Sequence, residues 1–247
     1  MSGQTGDGLA GARIVVTGAG SGAGRAIAAA LAGEGARVAL IARSAEALNE
    51  AAAGISAAGG EALALPCDVS DETSVEQAIA AAAAAFGGLD GLIACAGVGL
   101  YGPVEAYCLA DWNQTLATNL TGVFLTSRAV LPHLRASGGG WIVAIGSGAG
   151  KQGYANLAAY SASKFGLIGF MQALGAETGA AGIKTSVINP GSILTSFAGR
   201  PVEEKEAAMA KDPGKRYLLP EDVADAVLWL LRQPPRAWTQ EMNLWPF

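Results

Sequence analysis

Tyr160 and Lys164 are the residues of this 247-residue chain whose types and spacing most clearly indicate chemistry. They are four positions apart, so a helix would place the phenol and the ammonium group on one face. A phenol beside a cation suits proton transfer, whereas an isolated Tyr-x-x-x-Lys is equally compatible with a solvated helix face. Ser147 lies thirteen residues before Tyr160, directly after an apolar run, and we expect its hydroxyl at the same site.

A glycine-rich segment follows the first apolar run and reads Thr17-Gly18-Ala19-Gly20-Ser21-Gly22-Ala23-Gly24. Glycines let the backbone turn sharply and approach a pyrophosphate, whose charge then rests on a helix N-terminus. The segment fits the general dinucleotide fingerprint from Gly18 to Ala23 and also a second spacing, Gly18-x-x-x-Gly22-x-Gly24. Because the chain has 35 glycines, an ordinary strand-to-helix turn is the alternative.

Arg43 follows the second apolar run, at the position where NAD-binding sheets carry a carboxylate for the ribose 2′-hydroxyl. A guanidinium suits a 2′-phosphate instead, so Arg43 favours NADP(H) as the cofactor. NAD(H) is the alternative if Arg43 only begins the next helix and faces solvent.

The elements that must position these residues follow from the apolar pattern. Short runs rich in Val, Ile and Leu lack polar alternation, which is typical of strands covered on both faces. Ala-rich helical stretches separate them, and this alternation indicates βαβ units around a parallel sheet, with a (β/α)₈ barrel as the rival. The glycine-rich first turn favours the open sheet. The predicted strands are 13–17, 37–42, 62–67, 89–95, 141–145, 184–188 and 241–244, and helices are predicted over 70–86 and from Pro220 onward.

Charge and composition exclude several functions. Sixteen Lys plus Arg against 21 Asp plus Glu give a net charge of −5, which argues against a nucleic-acid partner. His133 is the only histidine, so we expect no metal site. Cys67, Cys95 and Cys108 form no C-x-x-C pair and indicate reduced thiols. The chain shows neither a secretory signal pattern nor an apolar stretch of membrane-spanning length, so we expect a cytoplasmic protein that does not bind membranes.

The order of these motifs resembles that of the short-chain dehydrogenase/reductase family, in its single-domain type. The resemblance runs from Gly11 to Leu244 and implies a Rossmann-type α/β fold, with a doubly wound parallel seven-stranded sheet and helices on both faces. It implies one domain over 1–247, in which residues 1–10 are flexible and 192–219 form a substrate loop region. The matching pieces are the glycine motif, Asp68-Val69, Asn119, Ser147, Tyr160-x-x-x-Lys164, and Asn189-Pro190-Gly191 with Thr195.

The resemblance implies a role for each matched residue. Tyr160 would be the general acid in carbonyl reduction and the base in alcohol oxidation, and Lys164 would lower the pKa of this phenol and hold the nicotinamide ribose. Ser147 would hydrogen-bond the substrate oxygen, and Asn119 would hold a water that links Lys164 to solvent. Asp68 would meet the adenine, while Thr195 and the Ile193 backbone would hold the carboxamide. The implied cofactor-binding residues are Gly18, Ser21, Gly22, Ala23, Gly24, Arg43, Asp68, Val69, Ala94, Gly97, Tyr160, Lys164, Pro190, Gly191, Ile193 and Thr195.

Two departures from the family pattern stand out. The chain reads Ala94-Cys95-Ala96-Gly97 where the family usually has Asn-Asn-Ala-Gly, so side-chain hydrogen bonds that brace the fourth strand are expected to be missing. Ala23 replaces a larger aliphatic residue, and we expect this to change packing only. Cys95 is expected to be a buried small side chain, because nothing basic flanks it in sequence.

The implied function is NADP-dependent interconversion of a carbonyl and a secondary alcohol by hydride transfer. The loops 98–104, 148–157 and 192–219 offer aromatic and small residues plus Lys151, which predicts a small, mostly apolar substrate. A 3-oxoacyl thioester reductase is one alternative, disfavoured because 136–139 and 179–182 lack the arginines that grip an acidic carrier. A catalytically silent NADP-binding sensor is another, disfavoured by the complete set of Asn119, Ser147, Tyr160 and Lys164.

The family resemblance also implies a homo-oligomer, a tetramer or a dimer. Helices over 111–136 and 157–178 pair across subunits in the family, and the apolar end Leu244-Trp245-Pro246-Phe247 would be costly to leave in water.

Overall fold

A parallel sheet lies at the centre of the protein in the computed structural model, which describes residues 9–212 and 214–247. Its strands are β1 (Arg13–Thr17), β2 (Arg37–Ala42), β3 (Glu61–Pro66), β4 (Gly91–Ala94), β5 (Gly140–Ile145), β6 (Ile183–Pro190) and β7 (Glu241–Leu244). They are ordered β3-β2-β1-β4-β5-β6-β7, and every neighbouring pair is parallel. The order reverses between β1 and β4, which is the switch point where open sheets bind ligands. The predicted doubly wound sheet is confirmed, and the barrel is excluded.

Helices cover both faces of the sheet and define two hydrophobic cores. The helices are α1 (Gly22–Gly33), α2 (Ala45–Ala57), α3 (Glu72–Phe86), α4 (Leu109–Leu116), α5 (Gly122–Ala136), α6 (Ala158–Thr178), α7 (Val202–Lys211) and α8 (Pro220–Leu231). Successive strand residues point to opposite cores: Val15 packs with α3, α5 and α6, whereas Ile14 and Val16 pack with α1 and α8. The strands are therefore apolar on both faces, as their sequences predict.

Element boundaries differ from the predicted ones where polar side chains intervene. The fourth strand begins at Gly91 and not at Leu89, because Asp90 accepts hydrogen bonds from the Arg13 backbone at 2.9 Å and from the Arg13 guanidinium at 2.7 Å. Helix α3 begins at Glu72 and not at 70, because Asp71 is its N-cap and accepts from the Ser74 amide at 2.8 Å.

Most of the segment expected to be flexible, 1–10, lies outside the described residues, and Leu9, which is described, is buried. Among the residues that the structure describes, no helix is long and apolar enough to cross a membrane.

Candidate active site

Tyr160, Lys164, Ser147 and Asn119 meet at the edge of the sheet where the strands end. Tyr160 and Lys164 lie one turn apart in α6, and Ser147 follows β5. The Lys164 side chain is buried, and its Nζ atom donates a hydrogen bond to the Ile145 carbonyl at 2.7 Å, which holds the ammonium at the end of β5. Its Nζ atom is 5.7 Å from the centre of the Tyr160 ring. The spacing read from the sequence thus places the phenol, the cation and the hydroxyl together.

Ser147 presents its hydroxyl from an extended backbone. Its amide donates to Asn189 Oδ1 at 3.3 Å, and its Oγ accepts a hydrogen bond from the Ala149 amide at 3.1 Å. Accepting this bond uses a lone pair and not the hydroxyl proton. The Ser147 hydroxyl can therefore still donate a hydrogen bond to an oxygen in the site.

Burial dominates the electrostatics of the phenol. Loss of hydration raises the pKa of Tyr160 to about 12, although the nearby Ser147 hydroxyl opposes the rise. Burial also lowers the pKa of Lys164 to about 8. The net shift of the Tyr160 pKa is opposite to the lowering expected from Lys164, because burial is its largest cause. Phe197 contributes to this burial, since its ring centre lies 5.8 Å from that of Tyr160.

The Asn119 side chain joins the loop after β4 to α6 through hydrogen bonds. It lies in a π-helical turn between α4 and α5, and its side chain is completely buried. Its Oδ1 accepts from the Val98 amide at 2.8 Å, and its Nδ2 donates to the Val98 carbonyl at 2.9 Å and to Ser163 Oγ at 3.2 Å. The side chain is therefore occupied by protein groups, and the water predicted for Asn119 would have to use its main-chain atoms.

The glycine loop is shaped for close approach of a phosphate. Gly18 has a φ of 69°, and a Cβ atom on Gly24 would lie 2.2 Å from the Gly18 carbonyl oxygen, so neither position tolerates a side chain. Ser21 begins α1, and within the described chain its side chain makes no capping hydrogen bond. The amides of the first helical turn, around Ala23, thus remain for an anion. A Cβ on Gly22 would lie 3.2 Å from Thr195, so the loop after β6 closes against this turn.

Arg43 and Asp68 lie beyond the ends of β2 and β3. Arg43 is exposed, so its guanidinium is accessible to a ligand. Asp68 accepts two hydrogen bonds from Ser70, from its amide at 2.9 Å and its hydroxyl at 2.7 Å, and these lower the pKa of Asp68. The Arg43 cation lowers that pKa further, so the two side chains are close to each other. The next residue, Val69, is buried against α5.

The strand end at Ala94 is braced in a way that the sequence did not indicate. Thr17 Oγ1 accepts hydrogen bonds from the Cys95 amide at 3.0 Å and from the Ala96 amide at 3.1 Å. Bonds from two asparagine side chains are still absent at Ala94 and Cys95, and Thr17 on β1 supplies a different bracing of this strand end. Gly97 continues this edge toward Asn119, whose Oδ1 atom would be 3.4 Å from a Cβ at that position.

Lys205 is a further site residue that the sequence analysis missed. From α7 it donates hydrogen bonds to the Ile193 carbonyl at 3.1 Å and to the Thr195 carbonyl at 2.6 Å. These bonds fix the segment predicted to hold a carboxamide, while the preceding Pro190-Gly191 turn is fixed by a bond from the Gly191 amide to the Leu244 carbonyl at 2.7 Å. No sequence signal marks Lys205, because its role depends on how the loop after β6 folds back.

The predicted substrate loops line an open cavity of about 440 Å³. The Gly102 amide donates to the Asn156 carbonyl at 3.0 Å and joins two of the loops. Lys151 does not line this cavity: its Nζ pairs with Glu241 Oε1 at 2.9 Å. Tyr154 is exposed and does not line it either. The lining residues are Tyr101, Gly102, Pro103, Ala155, Asn156, Leu157 and Arg200.

Within residues 9–212 and 214–247, no group of three or more His, Cys, Asp or Glu side chains could hold a metal ion.

The chain is similar in sequence to known proteins. The family model described as short chain dehydrogenase matches residues 12–206. The chain is 38% identical to the D-threitol dehydrogenase of Mycolicibacterium smegmatis, over 90% of this chain and 86% of that one. It is 37% identical to the glycine betaine reductase of Emericella nidulans over 96% of this chain, which corresponds to only 19% of that longer protein.

Among solved structures, the chain is similar to a metagenomic short-chain oxidoreductase in complex with NADP. The two are 35% identical, with a TM-score of 0.83, over 97% of this chain and 98% of that one. This likeness extends beyond the sheet to nearly the whole chain. The protein belongs to the short-chain dehydrogenase family and is an oxidoreductase of the class that acts on CH–OH groups.

Proposed function

We propose that the protein interconverts a ketone or aldehyde and the corresponding alcohol with NADP(H), using Tyr160 as proton donor and acceptor. The observation that carries this proposal is the convergence of Tyr160, Lys164 and Ser147 beside a glycine loop at the switch point of the sheet. The experiment that tests it is NADPH oxidation with a panel of carbonyl compounds, followed by the reverse reaction with the corresponding alcohols.

The cofactor fits the residues present. The loop at Gly18 and Gly24 forms a cradle that a Cβ atom would fill, and the first amides of α1 are available to a pyrophosphate. The exposed Arg43 suits the 2′-phosphate, and Asp68 lies beside it for the adenosine. The NADP complex of the metagenomic relative supports the same choice.

NADPH, when bound, supplies the hydride, and the chain supplies orientation and the proton. Ser147 donates a hydrogen bond to the substrate oxygen as negative charge develops there, and it keeps its own proton. Tyr160 gives its phenolic proton to the same oxygen, and a pKa of about 12 keeps the phenol protonated for this step. Lys164 provides a fixed positive charge next to the phenolate that remains, and its lowered pKa of about 8 lets it take part in reprotonation.

The substrate proposed for this site is small and apolar around its carbonyl group. Phe197 lies against the Tyr160 ring, and Tyr101 and Leu157 line the adjoining cavity. The open cavity of about 440 Å³ has room for a small carbonyl compound.

Replacing Arg43 by Ala should abolish most of the preference for NADPH over NADH. A ligand that binds only the folded state stabilises it by about 2.7 kcal/mol at one hundred times its Kd, so the cofactor that binds more tightly raises Tm more. Thermal denaturation of the wild type at equal cofactor concentrations should give the larger shift with NADPH. Arg135→Ala, which removes an equally exposed cation at the end of α5, should keep the difference. Equal shifts for both cofactors in the wild type would contradict this role of Arg43.

In solution we expect a homo-oligomer, a tetramer or a dimer. Phe124 on α5 and Phe165 on α6 are 42% and 48% exposed, and Trp245 near the C-terminus is 54% exposed. Such a set of large apolar side chains is costly to hydrate, so a second copy should cover it. Light scattering at micromolar concentration should give a multiple of 24.7 kDa, and a mass of one chain would refute the expectation.

We also propose a reducing compartment, the cytoplasm, as the location. The described cysteines Cys67, Cys95 and Cys108 are all free thiols, and burial raises the pKa of the first two, which makes them poor nucleophiles.

A further inference from the structure

We propose that Arg200 binds the carboxylate of a substrate whose carbonyl group lies at Tyr160, so that the natural substrate is an oxo acid or hydroxy acid with an apolar middle. This inference rests on the proposed function, because it assigns a second contact to the same substrate. It adds a charged recognition residue from the adjoining cavity, whose other lining residues are neutral.

The first observation is the composition of the cavity beside the active site. Of its seven lining residues, Arg200 is the only charged one; the others are small, apolar, aromatic or an amide. The chain as a whole carries a net charge of −5, so a cation without acidic neighbours in the cavity wall is a local exception. An anion entering this cavity meets one positive group and no repelling carboxylate among the lining residues.

The second observation is how the guanidinium is held. The Arg200 Cζ atom lies 5.6 Å from the centre of the Tyr101 ring, an arrangement in which the aromatic face attracts the cation. Among the described residues, Arg200 forms no salt bridge to an acidic side chain. A guanidinium held over a ring still has N–H groups available for a carboxylate. It binds a carboxylate with two parallel hydrogen bonds.

The third observation links Arg200 to the reacting end of the site. The short turn Phe197–Gly199 precedes Arg200, and Phe197 packs on Tyr160 with ring centres 5.8 Å apart. Ala198, inside this turn, has a φ of 63°, a left-handed conformation that residues with a side chain seldom adopt. This turn therefore allows two contacts from one short segment. Phe197 contacts Tyr160, the proposed proton donor, and Arg200 contacts the Tyr101 ring.

A second cation, Lys205, lies near Arg200. Lys205 lies close enough to Arg200 for this arginine to lower the pKa of Lys205, in addition to the effect of burial. The rings of Phe197, which packs on Tyr160, and of Tyr101, which faces Arg200, suit the carbon chain that joins a carbonyl to a carboxylate.

The test uses oxo acids of increasing chain length, each compared with its neutral primary amide. The acids are 4-oxopentanoate, 5-oxohexanoate and 6-oxoheptanoate. For each pair, kcat/KM with NADPH is measured and expressed as the ratio of acid to amide. A charge-assisted hydrogen-bond pair corresponds to a factor of about ten to a hundred, so the best acid should exceed its amide by about that ratio. Because the ratio is taken within each variant, a general loss of activity cancels.

Arg200→Gln should bring the ratio close to one, and Arg200→Lys should keep part of it. Arg135→Gln, which removes a cation on α5 outside the cavity wall, should leave the ratio at its wild-type value. A wild-type ratio near one for every pair, or an unchanged ratio in Arg200→Gln, would overturn the assignment of Arg200 while leaving the proposed function standing. Failure to reduce any acid, any amide or any simple ketone with NADPH would instead overturn the proposed function, and this inference with it.

Discussion

Replacing Tyr160 by Phe should lower kcat by at least about 10²-fold, and by up to about 10⁴-fold, with little change in the Kd for NADPH. The substitution removes the phenolic oxygen, which is the group proposed to exchange a proton with the substrate. It keeps the aromatic ring that packs on Phe197, so the fold and the cofactor site should survive. Steady-state kinetics on a substrate from the carbonyl panel and a fluorescence titration with NADPH measure the two quantities separately.

Tyr154→Phe is the matched control for this prediction. It removes the same atom from a tyrosine in the neighbouring loop that is 42% exposed, and kcat should stay within about twofold of the wild type. If Tyr160→Phe keeps near-normal turnover, the proton comes from another group, and the role assigned to Tyr160 is wrong.

Replacing Gly24 by Ala should weaken NADPH binding at least about tenfold and destabilise the fold. A Cβ atom there would lie 2.2 Å from the Gly18 carbonyl oxygen and 3.2 Å from the Ala19 amide nitrogen, and both are backbone atoms that cannot rotate away. Overpacking of this kind costs about 1–3 kcal/mol of unfolding free energy. A cofactor cradle displaced by that strain should bind NADPH about ten- to a hundredfold more weakly or worse. Urea denaturation and NADPH titration measure the two effects.

Gly33→Ala is the control within the same helix. Gly33 is the last residue of α1, it is exposed, and nothing lies within 4 Å of a Cβ placed there. The substitution should leave NADPH binding unchanged and alter the unfolding free energy by less than about 1 kcal/mol, in the stabilising direction. Equal effects of the two alanines on NADPH binding would show that the close approach at Gly24 has no functional consequence.

The sequence predicted the sheet and its edges because the strands are buried on both faces. Ile14, Val15 and Val16 have no polar residue between them, and this pattern is distinctive for a parallel sheet. The placement of Tyr160 beside Lys164 was predictable for a similar reason, since it depends only on the spacing within one helix.

Contacts between distant segments could not be predicted in this way. Thr17 braces Cys95 and Ala96 only because β1 and β4 are neighbours in register, with Thr17 opposite Ala94. Lys205 reaches Ile193 only after the loop following β6 folds back. The direction of the Tyr160 pKa shift likewise depends on burial, which includes contact with Phe197 from that same loop. Each of these features is set by tertiary structure and leaves no local pattern.

Transfer of isotope from the cofactor to the substrate tests the central claim most directly. The wild-type protein is incubated with NADPH carrying two deuterium atoms at C4 of the nicotinamide and with the carbonyl panel, and the products are analysed by mass spectrometry. The account predicts an alcohol with one deuterium on the former carbonyl carbon, formed at least about 10²-fold faster by the wild type than by Tyr160→Phe. NADPH left unoxidised across the whole panel, or an alcohol without deuterium at that carbon, would contradict it.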